Sequence, residues 1–271
     1  MRNEAITISI VSGKGGTGKT LLTTVLADEL GNSDQKVLVI DFDFFLRGLT
    51  SLLYYHKSEP IEIIGNDECT FFEKLTKDDD RKLGIKKFRS FDILPSVRSI
   101  DQIVNYQLTM FEKNNLFKKF TVLICQLKKK YDIIFLDCRA GYDETIMIPH
   151  IYSDYTFCVE EDDNISRITT DNLIQHLNDL SLYQEMMKKV NNTPILRISN
   201  KVRDIANFEK IQNRSRSAND LGSIPFDIEV MNLFGCDDFW NGLNQTLYKN
   251  SIVKIWNRFD EKAKLNMQLY F

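Results

Sequence analysis

Ser12-Gly13-Lys14-Gly15-Gly16-Thr17-Gly18-Lys19-Thr20 fits the phosphate-binding pattern G-x-x-x-x-G-K-[ST], running from Gly13 to Thr20. Its flanks are those the motif needs. Ile6-Thr7-Ile8-Ser9-Ile10-Val11 is rich in β-branched residues and predicts a strand. Leu22, Val25, Leu26 and Leu30 recur at helical spacing, with Gly31 placed to end the helix. The glycines therefore sit on a turn between a strand and a helix N-terminus. Unpaired backbone N–H groups and the positive end of the helix dipole meet there, and both favour bound phosphate. Glycine lets the chain curl its amides inward and approach the ligand closely. In this pattern Lys19 serves the β- and γ-phosphates and the Thr20 hydroxyl serves Mg²⁺.

The same letters also fit a dinucleotide fingerprint, Gly13-x-Gly15-x-x-Gly18, with Asp41 about 20 residues further on. A dinucleotide does not need Lys14, Lys19 or Thr20, nor the second acid, Asp43. Those residues suit a triphosphate and a metal, so the triphosphate reading is preferred.

Two further stretches end in acids. Val37-Leu38-Val39-Ile40 is a continuous apolar run, as expected for a strand buried on both faces, and leads into Asp41-Phe42-Asp43. Strand side chains alternate, so both acids can face a ligand at the strand's C-terminal end while Phe42 points the other way. Tyr131-Asp132-Ile133-Ile134-Phe135-Leu136-Asp137 is a hydrophobic strand ending in an acid, the Walker B pattern, in which Asp137 would hold Mg²⁺. Asp137 and Gly141 also fit D-x-x-x-G, a switch whose glycine amide senses the γ-phosphate.

Further strands are expected at 91–95, 156–159 and 195–199, with a weaker one at 61–64. Helices are expected at 52–55, 69–75, 100–104, 108–130, 165–180 and 245–264. Strands and helices alternate throughout. The fold class is therefore α/β, a three-layer sandwich of the phosphate-loop NTPase type, with a mainly parallel sheet and helices on both faces. No linker or repeat is evident, and residues 1–271 are read as one domain. The segment 51–90 is the least readable.

Composition narrows the function. The formal net charge is −3, so no global basic field draws nucleic acid. The 5 cysteines are odd in number and form no C-x-x-C pair, which points to a reducing cytoplasm and away from disulfides or structural zinc. Met1-Arg2-Asn3-Glu4 leads straight into the first strand, so no signal peptide is expected. No apolar run is long enough to span a membrane. A cytoplasmic location is expected.

Lys14-Gly15-Gly16-Thr17-Gly18-Lys19-Thr20 resembles the deviant phosphate loop of the ParA/MinD family of partitioning and positioning ATPases, whose mark is the extra lysine, here Lys14. Val39-Ile40-Asp41-Phe42-Asp43 with Leu46-Arg47-Gly48-Leu49 is similar to the MinD branch. The resemblance implies an ATPase that uses ATP and Mg²⁺ and closes a homodimer bridged by ATP. It implies that Gly13, Lys14, Gly15, Gly16, Thr17, Gly18, Lys19 and Thr20 hold phosphates, with Lys14 acting across the dimer interface. Lys14, Lys19 and Asp43 would carry the chemistry, Asp43 by positioning the attacking water. Thr20, Asp41 and Asp137 would form the metal side. Asn200 would read adenine through its amide, with Pro225 beside the base. Ser166 and Arg167 would fall near the dimer face. The chain departs from the family at Phe45, where a small residue is common, and at Arg139, near the usual proline.

Slow turnover, stimulated by a protein partner, is expected. An ATP-gated binding module with little turnover is the competing reading. DNA contacts are possible through Arg203, Lys210, Arg214, Arg216, Lys254, Arg258, Lys262 and Lys264, but acids interleave them as on an ordinary solvated surface. Membrane attachment is not expected, because Leu265-Asn266-Met267-Gln268-Leu269 alternates with period two and makes no helical apolar face.

Overall fold

The computed structural model describes residues 5–55, 64–77, 79–98, 110–186, 193–203, 219–236, 238–244 and 246–268. The elements run β1 (Ile6–Ser12), α1 (Lys19–Gly31), β2 (Val37–Asp41), α2 (Gly48–Tyr55), β3 (Glu68–Cys69), α3 (Phe71–Thr76), β4 (Lys82–Leu83), β5 (Lys86–Phe88) and β6 (Phe91–Leu94). There follow α4 (Met110–Lys128), β7 (Ile133–Ala140), α5 (Glu144–Tyr152), β8 (Tyr155–Glu161), α6 (Asn164–Met186), β9 (Ile195–Val202) and β10 (Asp220–Pro225). Three helices close the described chain: α7 (Ile228–Leu233), α8 (Phe239–Leu243) and α9 (Leu247–Gln268).

The main sheet has 8 strands in the order β10-β9-β8-β1-β7-β2-β6-β5. Every pairing is parallel except β5 with β6. The apolar strands follow from burial on both faces, and alternation sorts their side chains between two cores. Ile8, Ile10, Val37, Val39, Ile133 and Phe135 join α1 and α9 on one face. Val11, Leu38, Ile40, Ile134 and Leu136 join α4, α5 and α6 on the other. The resulting three-layer α/β sandwich is the one expected.

β1 lies at the centre, between β8 and β7, and β2 follows β7. The C-terminal ends of β1, β7, β2, β8 and β9 therefore come together at one edge, and the phosphate and metal motifs lie there, on strand ends, the loop after β1 and the first turn of α1. Phe42 turns away from the acids on either side of it. It is fully buried, with ring centres 4.9 Å from Phe71 and 5.4 Å from Phe120. This edge-on aromatic packing anchors the end of β2 from behind.

Differences from expectation are local. The segment expected to be helical at 69–75 begins as strand β3, and its helix starts only at Phe71, after Thr70. Thr70 forms a reciprocal capping box with Glu73, which fixes that start. β4 and β5 were not expected. The helix expected at 100–104 and most of the strand expected at 61–64 lie outside the described residues.

Candidate functional site

The phosphate loop follows β1 and feeds α1. Gly16 and Gly18 have φ of 80° and 85°, left-handed conformations that glycine adopts without strain. Gly18 occupies the N-cap of α1 and, lacking a side chain, leaves the first amides of the helix without a cap from that position. Gly13 has a second reason to lack a side chain, since a Cβ there would lie 2.5 Å from the Thr169 carbonyl oxygen. Lys19 is buried, with its Nζ donating to Ser12 Oγ at 2.7 Å. Burial pulls its pKa below the usual lysine value, against the pull of the nearby Asp137 charge. Its ammonium would thus gain from an anionic ligand. The Thr17 hydroxyl is buried and finds no partner among the described residues, which also suits a ligand oxygen.

The acids stand beside this loop because β2 and β7 are neighbours, with Asp41 directly opposite Asp137. Asp137 Oδ2 accepts from Thr20 Oγ1 at 2.8 Å, and Oδ1 accepts from Thr23 Oγ1 at 3.3 Å. Burial pushes the Asp137 pKa up to about 6. Asp41 is fully buried and is pushed up to about 7 by the same cause. Its Oδ1 accepts from the Asp43 N–H at 3.0 Å and its Oδ2 from the Thr50 N–H at 2.8 Å. Asp41 thereby ties the end of β2 to the start of α2. Asp43 is half-buried, and its Oδ1 accepts from the N–H groups of Phe45 and Leu46 at 3.1 and 2.9 Å. The Gly141 N–H donates to the Ser12 carbonyl at 3.1 Å, so Gly141 touches the start of the loop.

Hard oxygen donors, one hydroxyl and desolvated carboxylates, are what Mg²⁺ selects. Among the described residues no cluster of three or more His, Cys, Asp or Glu could hold a metal alone. Mg²⁺ at nucleotide sites takes only one or two protein oxygens and completes its shell with phosphates and water, so Thr20 and Asp137 fit it.

Lys14 lies on the same edge but is turned toward its own chain. Its Nζ donates to Glu161 Oε2 at 3.0 Å and to Asp163 Oδ2 at 3.1 Å. These bonds raise its pKa. Glu161 is shared, since Lys201 Nζ also donates to its Oε1 at 2.8 Å and to the Gly16 carbonyl. Asn200 is fully buried, with Nδ2 donating to the Thr17 carbonyl at 2.8 Å and Oδ1 accepting from the Lys201 N–H. It therefore braces the phosphate loop. Pro225, at the end of β10, pairs with Val202 and is buried two residues beyond the Asn200 position on the neighbouring strand. Phe226 emerges next to it, with the Arg203 guanidinium 5.4 Å from its ring centre.

The structure brings all the expected site residues to one edge of the sheet. It adds Ser12, Thr23, Thr50, Glu161, Asp163 and Lys201, none of which carries a motif. Of the basic residues considered for DNA, Arg258 and Lys262 donate to the carbonyls of Leu221 and Asp220, and Lys264 pairs with Asp260. Residues 210, 214 and 216 lie outside the described chain. No helix among the described residues is long and apolar enough to cross a membrane.

A phosphate loop entering α1, two acid-tipped neighbouring strands and a central parallel sheet define a P-loop NTPase fold. A family model described as "AAA domain" matches residues 5–191, and the chain belongs to this family, in its ParA/MinD group of P-loop ATPases. It is 36% identical over 141 residues to the septum site-determining protein MinD of Synechocystis, covering 50% of this chain and 46% of that protein. The chain thus spans about half the length of the curated relatives it matches. A Borrelia burgdorferi B31 protein described as a plasmid partition protein, solved with AMPPNP, superposes with a TM-score of 0.66 at 22% identity, covering 96% of this chain and 99% of that one. MinD of Pyrococcus horikoshii with Mg-ADP superposes with a TM-score of 0.63 at 22% identity, covering 96% and 98%. The fold of the sandwich is thus shared with both.

Proposed function

We propose that this chain binds ATP with Mg²⁺ and works as a dimerisation switch, closing a homodimer when ATP is bound and opening it on hydrolysis. The observation that carries the nucleotide site is the Thr20–Asp137 pair at 2.8 Å, set beside a buried Lys19 at the mouth of the phosphate loop; the dimer follows from the resemblance of the Lys14 loop. The reaction is in-line attack of water on the γ-phosphorus. Asp43 orients that water. Lys19 and the loop amides take up charge on the transferring phosphoryl group, and Lys14 does so from the opposite subunit. Thr20 and Asp137, with Asp41 behind them, would hold Mg²⁺, which would supply charge neutralisation to the phosphate oxygens. Pro225 flanks the base, while Asn200, its buried amide held by the Thr17 carbonyl and the Lys201 N–H, braces the phosphate loop rather than reading adenine.

Turnover is slow at rest. Support comes from Lys14, whose ammonium rests on Glu161 and Asp163 of its own chain. A protein partner that completes the site would accelerate it. The names of the relatives, in septum placement and plasmid partition, favour a role in positioning or partitioning in the cytoplasm. Isothermal titration tests the site: wild type is expected to bind Mg-ATP, and Lys19→Ala is expected to lose it. Binding of NADH in place of ATP, or unchanged affinity in Lys19→Ala, would overturn the assignment.

A further inference from the structure

Neither Phe45 nor Arg139 has a role in the motifs, yet the two side chains meet. The Arg139 guanidinium carbon lies 4.7 Å from the centre of the Phe45 ring. Arg139 sits on β7 two residues past Asp137, in the stretch where the pairing of β7 with β1 shifts register before Ala140. Phe45 sits two residues past Asp43, beyond the end of β2. Because Asp41 and Asp137 are in register, the overhang of each strand reaches the other.

The contact bears on Asp43. The Phe45 N–H donates to Asp43 Oδ1 at 3.1 Å, the Leu46 N–H donates to the same oxygen, and the Arg47 N–H donates to the Asp43 carbonyl at 3.1 Å. Residues 43–47 are thus one hydrogen-bonded turn whose rotation would carry the Asp43 carboxylate with it. Phe44 pins the inner side of the turn against Phe42, Phe71 and Phe72, while on the outer side Phe45 is 43% and Leu46 80% exposed. Arg139 supplies the hold on that outer side. Its own position is set by Asp143, 3.2 Å away and four residues on, in the bend between β7 and α5. An arginine presents a flat face to an aromatic ring, which suits this stack.

We propose that Arg139 is a positioning residue for Asp43, acting through the Phe45 ring. It clamps the turn after β2 to the turn after β7, so that the group that orients water and the strand that carries Asp137 move together. This deepens the function proposed above and rests on the role given there to Asp43.

The test is single-turnover ATP hydrolysis by the full chain, with ATP affinity measured alongside. Arg139→Ala and Phe45→Leu are each expected to slow hydrolysis about three- to fivefold, the size of a surface cation–π contact, with ATP affinity within about twofold of wild type. The double variant is expected to be no slower than either single one, because both remove the same contact. Phe45→Tyr keeps an aromatic face and is expected to retain the wild-type rate. A purely structural role would move thermal stability and leave that pattern absent. Multiplying effects in the double variant would overturn the clamp. So would a slow Arg139→Ala beside an unaffected Phe45→Leu, which would mean that Arg139 acts directly on phosphate. Should Arg139→Ala fail to fold, Phe45→Leu against Phe45→Tyr still decides, and equal rates in those two overturn the clamp. Asp43→Ala is run in the same series. A wild-type rate there would overturn both the clamp and the reading beneath it, whereas failure in the Arg139 and Phe45 arms alone would leave that reading standing.

Discussion

Lys14 reaches Glu161 of its own chain, with 3.0 Å between ammonium and carboxylate, although 147 residues separate them in sequence. Asp163 holds the same ammonium from the other side. A lysine that serves a phosphate in a second subunit must first leave these acids. Lys14→Ala is therefore expected to bind ATP as a monomer with nearly wild-type affinity, yet to fail in dimerisation and hydrolysis. Asp163→Asn tests the hold from the other direction. Asp163 Oδ1 also accepts from the Ser166 N–H at the start of α6, and asparagine preserves such a cap while removing the charge. That variant is expected to dimerise at roughly two- to fivefold lower ATP concentration, the modest size of an exposed ion pair. Analytical ultracentrifugation across an ATP series checks both.

Asp43→Ala is expected to separate binding from chemistry. An acid contributes no attraction to a triphosphate, so ATP affinity should hold or improve. The loss of the group that orients water should slow hydrolysis by about two to four orders of magnitude. Dimers should then persist with limiting ATP while wild type returns to monomer, as read by size-exclusion chromatography beside phosphate release.

Asn200→Ala is expected to loosen the phosphate loop from behind. The change removes a fully buried amide and leaves the Thr17 carbonyl without its 2.8 Å donor. A buried group left unsatisfied costs about 1–3 kcal/mol. Urea unfolding should show that loss, and ATP binding should weaken with it. Unchanged stability would mean that water replaces the amide.

His150 gives a pH dependence. It is fully buried, its Nδ1 lies 2.8 Å from Thr156 Oγ1, and burial holds its pKa at about 4, below the ordinary 6.5. The unfolded chain therefore takes up this proton first as pH falls. The neutral histidine contributes fully above about pH 6.5, and its contribution fades as pH drops from there to about 4. Across that window wild type should lose about 3 kcal/mol more than His150→Gln in urea unfolding. Parallel pH profiles for the two proteins would contradict this.

The sheet was legible because its strands are buried on both faces and so read as unbroken apolar runs, as in 37–40 and 133–136. The phosphate loop and Asp137 were legible for a related reason, since their spacing is set by local backbone geometry. Strands β4 and β5 were not. They are two and three residues long and carry Lys82, Lys86 and Lys87, so no apolar alternation marks them. Glu161 and Asp163 stood in plain sight at and just past the end of β8, but their partner Lys14 is brought to them only by the adjacency of β1 and β8. Phe45 and Arg139 were each visible as departures from the family pattern. That they touch depends on the register of β2 against β7, which no local pattern encodes.

The central claim is that nucleotide state sets oligomeric state. Multi-angle light scattering of the full chain with Mg-ATP and with Mg-ADP tests it most directly, using Asp43→Ala to hold the ATP state. The expected result is twice the monomer mass with ATP and the monomer mass with ADP. The same mass in both nucleotides, with ATP binding confirmed in the same sample, would contradict it.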